Sequence, residues 1–500
     1  MEEGEQPRRL GFGGFAVVFA VLLALAAVPL FLTEILPLLD YPNHLARMSL
    51  LPGIASPALR EFYAVAWAPL PNLGMDLIVP FLAAVMPLDV AGKVFVLATF
   101  VLLAGGTAAL SRVVFGAWTL WSCLAFLLLY TRLLLWGFMG YLLGCGLALA
   151  AFAGWLALRE RHWVLRIAVG CVFVMAIYLA HLLAFGIYAI MIAGYELGEA
   201  WRLRRNRIDA LRVLVIGGMP FLPALALMAM NSSTGRIIYA NPLRKLDLLF
   251  SVFDNYSRPF DVVCFVLVVV AVGWAFQRRW VKLAPAMIGP LIGLVLLYIA
   301  MPTQLFTAAG ADRRIPMMIF LVLIGGSRWA ASRSIERRFV AAAGVMFVVR
   351  LAVIATTWYQ SGRLYAELLL RLDIIPRGSC VAAAYDKAGI SVQKAPLTHF
   401  PPIAVARREA FVTTLFAYPL QQPITLKPEA KTLAELLSPD ELWYAFVDDS
   451  TPLSAPALTA LKRCDYVAFA GTKPFTLKNS AGLEPAVVTP RFQLYHIAHS

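Results

Sequence analysis

The chain has 500 residues, of which 61% are hydrophobic and 14% charged, with a mean hydropathy of +0.75. Soluble domains are about 45–50% apolar and about 25% charged, so a water-soluble globule is excluded. The net charge of +14 gathers in short loops rather than in a basic amphipathic domain, so it reads as helix orientation and not as nucleic-acid binding.

The apolar residues come in runs of roughly twenty, the length that crosses a bilayer core. The first, near 12–32, follows Arg8 and Arg9 as a signal peptide would. It is longer than a signal peptide's apolar region and lacks a cleavage site, so it is read as an uncleaved anchor. Further spans are expected near 92–111, 117–131, 134–158, 164–180, 183–199, 211–230, 260–276, 284–301, 315–330 and 339–357. The sequence is thus that of a polytopic α-helical membrane protein with about 11 transmembrane helices. The connections "RERHW" (159–163), "WRLRRNR" (201–207), "QRRWVK" (277–282) and "RWAASRSIERR" (328–338) are basic and fall on the side of Arg8 and Arg9. The positive-inside rule makes that side cytoplasmic. An odd number of spans then sends the C-terminal segment outside.

One run, "MDLIVPFLAAVMPL" (75–88), is too short for a comfortable span and holds Asp76, Pro80 and Pro87. It is laid in the outer interface, which leaves an outer loop at 33–91. Near the start of that loop stands "LLDYPNHLARM" (38–48). Pro42 suits the first turn of a helix, where a missing N–H costs nothing. His44 and Arg47 then lie three apart on one face. Asp40 precedes the helix and has two readings: a helix cap, or a carboxylate that takes a proton from an incoming hydroxyl. In the second, His44 and Arg47 meet developing negative charge. Asp76 is either a second carboxylate or a cap of its own helix.

Several cations stand on the outer side, where Lys and Arg are disfavoured. They are Arg236, Arg244, Lys245 and Arg258, then Arg313 and Arg314 in "GADRRIP", and Arg350 inside the last span. Head-group contact, or pairing with a carboxylate such as Asp312, accounts for any one of them. Their convergence on one face suits a bound phosphate, which the guanidinium fork grips bidentately. His181, at the outer turn between the fifth and sixth spans, either packs in its apolar neighbourhood or faces the same cavity.

The segment 358–500 changes character. Short strand-like runs, "CVAAAY", "FVTTLFAY", "LWYAFVDD", "CDYVAFAG" and "FQLYHI", with the helical "KTLAELL", describe a C-terminal extracytoplasmic α/β domain after a membrane domain at 1–357. Cys380 and Cys464 each open a strand-like run and either pair in an oxidising compartment or stay buried thiols. Asp448 and Asp449 are placed at a strand end, a position that binds ligands in α/β sheets or forms a solvated turn.

An Asp shortly after the first span, a flat interfacial helix and then many spans resemble the GT-C superfamily of integral membrane glycosyltransferases. That superfamily includes protein O-mannosyltransferases and bacterial lipid A aminoarabinose transferases. The stretches "DYPNHLARM", "PLPNLGMDLIVPF" (69–81) and "YTRLLLWGFMGYLLG" (130–144) carry the likeness. The resemblance implies a polyprenyl-phosphate-linked sugar donor, an extracytoplasmic glycan, lipid or protein acceptor, inversion at the transferred carbon, and Asp40 in the catalytic acidic position. Arg313, Arg314 and Arg350 would then hold the carrier's phosphate. Many relatives carry two adjacent acids there and several coordinate a divalent metal, whereas Tyr41 follows Asp40 here, so a divalent cation near Asp40 stays an open expectation. The competing reading is a transporter or lipid flippase, which would need polar residues along a transmembrane path and paired repeats.

Overall fold

The computed structural model describes residues 11–54, 56–230, 235–306, 308–386 and 394–498. Among these, eight helices are long and apolar enough to cross a membrane. They are Phe12–Phe31, Leu88–Phe115, Met139–Ala157, Trp163–Ala180, Leu182–Arg202, Arg207–Met230, Arg258–Gln277 and Ser334–Leu372. Each overlaps an expected span. The other three expected spans fall on shorter apolar helices at Leu120–Trp136, Pro285–Ala300 and Ile315–Gly325, so helix length alone does not fix a count of eleven. Gly74–Ala83 is a ten-residue helix, about 15 Å long and half of what a bilayer core requires.

By density of contacts the chain divides into two units. One holds the chain up to Val28, Val96–Leu134 and Phe138–Ile354; the other holds Pro29–Phe95, Leu135–Gly137 and the chain from Ala355.

The first unit is the helical one. Its helices pack through small residues, as helices in lipid do when backbones must approach closely. Leu182–Arg202 and Ile288–Ala300 meet at Gly194 and Gly289, where a Cβ on Gly194 would stand 2.5 Å from the Gly289 carbonyl oxygen. A core of Trp121, Ala275, Val281 and Trp329 gathers around the two-stranded pair Val281–Leu283 and Ser327–Trp329. There the Trp121 indole N–H donates to Ser327 Oγ at 2.9 Å.

The second unit joins Pro29–Phe95 to the C-terminal segment. Tyr63–Val65 pairs antiparallel with Ile424–Leu426, and Asn43 bonds the backbone twice, donating to Thr414 O and accepting from Phe416 N at 2.8 and 2.7 Å. A five-stranded mixed sheet runs in the order Leu483–Val488, Phe492–Ile497, Tyr466–Ala470, Cys380–Tyr385, Phe411–Val412. The wholly apolar "CVAAA" is buried on both faces, as a central parallel strand should be. Parallel pairing of Val381 with Tyr466 brings together the residues just before each strand's core, and Cys380 and Cys464 are disulfide-bonded.

Two expectations for this segment change. "LWYAFVDD" is not a strand: Pro439–Trp443 is an α-helix that continues as a π-helical turn over Tyr444–Asp448. Pro439 at its first turn, with Asp440 and Glu441 beside it, supplies a helix start that the continuous apolar run hid. Asp448 and Asp449 therefore end a helix, with Asp449 at φ 50°. The strand Leu483–Val488 carries a register shift at Pro485, and its interrupted alternation kept it out of the sequence reading.

Candidate functional site

Tyr41–Met48 is helical, with Pro42 in its first turn, and Asp40 occupies the N-cap without a side-chain cap hydrogen bond. The carboxylate is therefore not engaged in capping. Its backbone is pinned from both sides: Asp40 N donates to Trp136 O at 3.2 Å, and His44 N donates to Asp40 O at 3.0 Å. Gly137 backs it at φ +87°, where a Cβ would lie 2.9 Å from Asp40 Cβ. Only glycine takes that conformation without strain, and only glycine leaves Asp40 its room.

The Asp40 side chain is one-fifth exposed, and its Oδ1 lies 3.4 Å from His399 Nε2. Burial pushes His399 down to about 4, so near neutral pH the contact is that of a neutral imidazole with a carboxylate. Tyr385 closes edge-on against the His399 ring at 5.6 Å and Phe416 at 5.0 Å. Burial raises Tyr385 to about 12, with Tyr418 and Asp40 adding to the shift. Tyr418 is raised by burial first and by Asp40 second.

A hydrogen bond with the Gly137 backbone favours the protonated form of His44. Burial, then the charge of Arg47, holds it well below the usual imidazole range despite that bond. Phe416 meets it edge-on at 5.7 Å. Asp40 and His44, named from sequence, thus share a site with His399, Tyr385, Phe416 and Tyr418, which were not. Those four lie more than three hundred residues from Asp40, and "PLTHFPPI" around His399 reads as an ordinary proline-bounded turn.

Arg47 and Asp76 go elsewhere. Arg47 Nε donates to Asp76 Oδ1 at 2.8 Å and Nη2 donates to Oδ2 at 2.9 Å, with both side chains buried. The fork expected to meet substrate charge is closed on Asp76, the carboxylate read either as a second acid or as a cap of its own helix. The pair ties Tyr41–Met48 to Gly74–Ala83.

The other cations singled out in the sequence belong to the first unit. Arg313 is half-buried; burial and Arg244 push its pKa down, opposed by Asp312 and Asp247. Arg313, Arg244 and Arg258 also act electrostatically on Arg132, which is ion-paired with Asp254. Arg132 sits in "YTRLLL" between apolar runs and gave no sign from sequence of joining this group. Arg258 pairs with Asp247 at 2.8 Å. Arg314 is buried: Nη1 lies 3.0 Å from His181 Nε2, Nη2 donates to Ala309 O at 3.1 Å, and the guanidinium stacks 4.1 Å over Phe138. His181 caps Leu182–Arg202, its Nδ1 accepting from Leu183 N at 3.0 Å.

In Arg350, expected to hold phosphate, Nη1 donates to Asp261 at 2.9 Å, Nη2 donates to Phe253 O at 3.0 Å, and the residue is 4% exposed. Asp261 is the partner a buried arginine requires. No three His, Cys, Asp or Glu among the described residues are arranged to hold a metal ion.

No family model matches the chain, and no curated protein matches it. Among solved structures, ArnT from Cupriavidus metallidurans bound to undecaprenyl phosphate aligns over 97% of this chain and 98% of that one. The TM-score is 0.52 at 12% identity. The chain shares the ArnT fold. The same protein in the apo state matches over the same shares at 12% identity, with a TM-score of 0.49. At this identity the likeness establishes fold, and activity has to be argued from the site.

Proposed function

We propose that the chain is a GT-C-type glycosyltransferase that moves a sugar from a polyprenyl-phosphate carrier to an extracytoplasmic acceptor. In one displacement the acceptor hydroxyl oxygen bonds to the sugar's anomeric carbon and Asp40 takes the hydroxyl proton. The bond from that carbon to the phosphate oxygen breaks, and its electron pair leaves with the polyprenyl phosphate. Attack opposite the leaving group inverts the carbon.

The observation that carries this reading is the state of Asp40. It is an N-cap residue whose carboxylate makes no cap bond, remains partly accessible, and is backed by a glycine that no larger residue replaces without strain. A general base needs that combination of access and fixed position. The ArnT structure bound to undecaprenyl phosphate supports the choice of donor class.

The carrier's phosphate is assigned to the cations of the first unit, led by half-exposed Arg313 with Arg132 and Arg244. Like charges held together cost repulsion that a bound phosphate relieves, and guanidinium groups match phosphate oxygens in geometry.

The experiment is transfer from a polyprenyl-phosphate sugar in nanodiscs, with wild-type chain and Asp40→Asn compared. Loss of transfer with retained carrier binding supports the base; equal transfer by both overturns it. Flux of the labelled carrier across vesicles without sugar transfer would favour a flippase.

A further inference from the structure

We infer that His399, from the C-terminal segment, is the positioning residue for Asp40, holding its carboxylate oriented and charged through the Nε2–H. This rests on the reading of Asp40 as the base and adds the residue that prepares it.

His399 is itself held in place. Tyr365 Oη donates to Pro396 O at 2.5 Å, Phe400 N closes a turn onto Leu397 O at 2.9 Å, and the Phe400 side chain is fully buried against Tyr365 and Phe492. Between those anchors the imidazole is clamped by Tyr385 and Phe416. Its Nε2 faces Asp40 Oδ1, and its Nδ1 is buried with no hydrogen-bond partner. A neutral imidazole carries one proton. Placed on Nε2, it points at a carboxylate; placed on Nδ1, it would leave two lone-pair atoms facing each other. The tautomer follows from the geometry.

The separation of 3.4 Å is longer than a good hydrogen bond of about 2.7–3.2 Å. Catalytic bonds of this kind commonly tighten only when substrate is bound. A donor at that point favours the charged carboxylate. The titratable groups facing the pair are Tyr385 from the sheet, Tyr418 from the loop beyond Phe416, and His44 one turn along the helix from Asp40.

The test uses the full chain in nanodiscs with two variants. His399→Phe keeps a ring between Tyr385 and Phe416 but removes the donor; His399→Gln restores an N–H at the Nε2 position. The first readout is carbodiimide labelling of Asp40 against pH, followed by peptide mass spectrometry, which needs no turnover. The reagent takes protonated carboxyls, so the midpoint should rise by about one pH unit or more in His399→Phe and return toward wild type in His399→Gln. The second is the acidic limb of kcat/KM, expected to move with the labelling midpoint. His399→Phe should lower kcat by roughly ten- to a hundredfold.

An unmoved midpoint in His399→Phe, or equal defects in the two variants, overturns the role of His399. If instead the midpoint moves as expected while Asp40→Asn transfers sugar as wild type does, the positioning contact stands and the base assignment fails.

Discussion

Arg47 and Asp76 form a two-pronged buried ion pair, at 2.8 and 2.9 Å, that fastens Tyr41–Met48 to Gly74–Ala83. Breaking such a pair from one side leaves an uncompensated buried charge, at a cost of about 3–5 kcal/mol. Arg47→Met and Asp76→Asn should each lower the unfolding midpoint sharply. The double variant should recover much of the loss, because no lone charge remains. A double-mutant cycle in detergent measures this; additive losses would mean that the two residues act separately.

Arg350 and Asp261 call for the same treatment with a different readout. Both are buried and bonded at 2.9 Å, so Arg350→Met should destabilise the chain. Affinity for a polyprenyl phosphate, measured on the protein that remains folded, should change less than twofold. Arg313→Met should do the reverse, with little change in stability and carrier binding weakened by about tenfold.

Acid should destabilise the chain through its buried histidines. His399 lies near 4 when folded against an ordinary value of 6.5. Between those values the unfolded chain takes up a proton that the folded chain does not. The contribution is complete above about pH 6.5 and is lost as the pH falls toward 4. At about pH 5 the loss from this group is about 2 kcal/mol, and His44, also lowered by burial, adds in the same direction. Unfolding followed at about pH 7 and pH 5 checks it, and His399→Phe should flatten the slope.

The Cys380–Cys464 bond closes a separation of 84 residues. Chain entropy alone gives about 4.5 kcal/mol of stability from a crosslink over a loop of that size. Peptide mapping without reductant should find the bond in chain taken from the membrane. Replacing both cysteines by alanine should lower the midpoint of the C-terminal domain's transition.

Much of the architecture was legible because lipid leaves few choices. A run of about twenty apolar residues has to be a helix, and each of the eight long helices overlaps a span read from hydropathy. Pro42 announced the helix after Asp40 for an equally local reason. The partners were not legible. Nothing near Arg350 in sequence points to Asp261, and nothing near Asp40 points to His399, because side-chain pairs across such separations are set by tertiary packing. The run "LWYAFV" failed differently: six apolar residues in a row carry neither a period of two nor one of 3.6, and the start signal at Pro439 had to decide.

The account stands most directly on Asp40→Asn, assayed with a polyprenyl-phosphate sugar in nanodiscs beside a carrier-binding measurement on the same preparation. The expected result is transfer reduced by at least a hundredfold, with the carrier bound as tightly as by wild type. Transfer at the wild-type rate by that variant would contradict it.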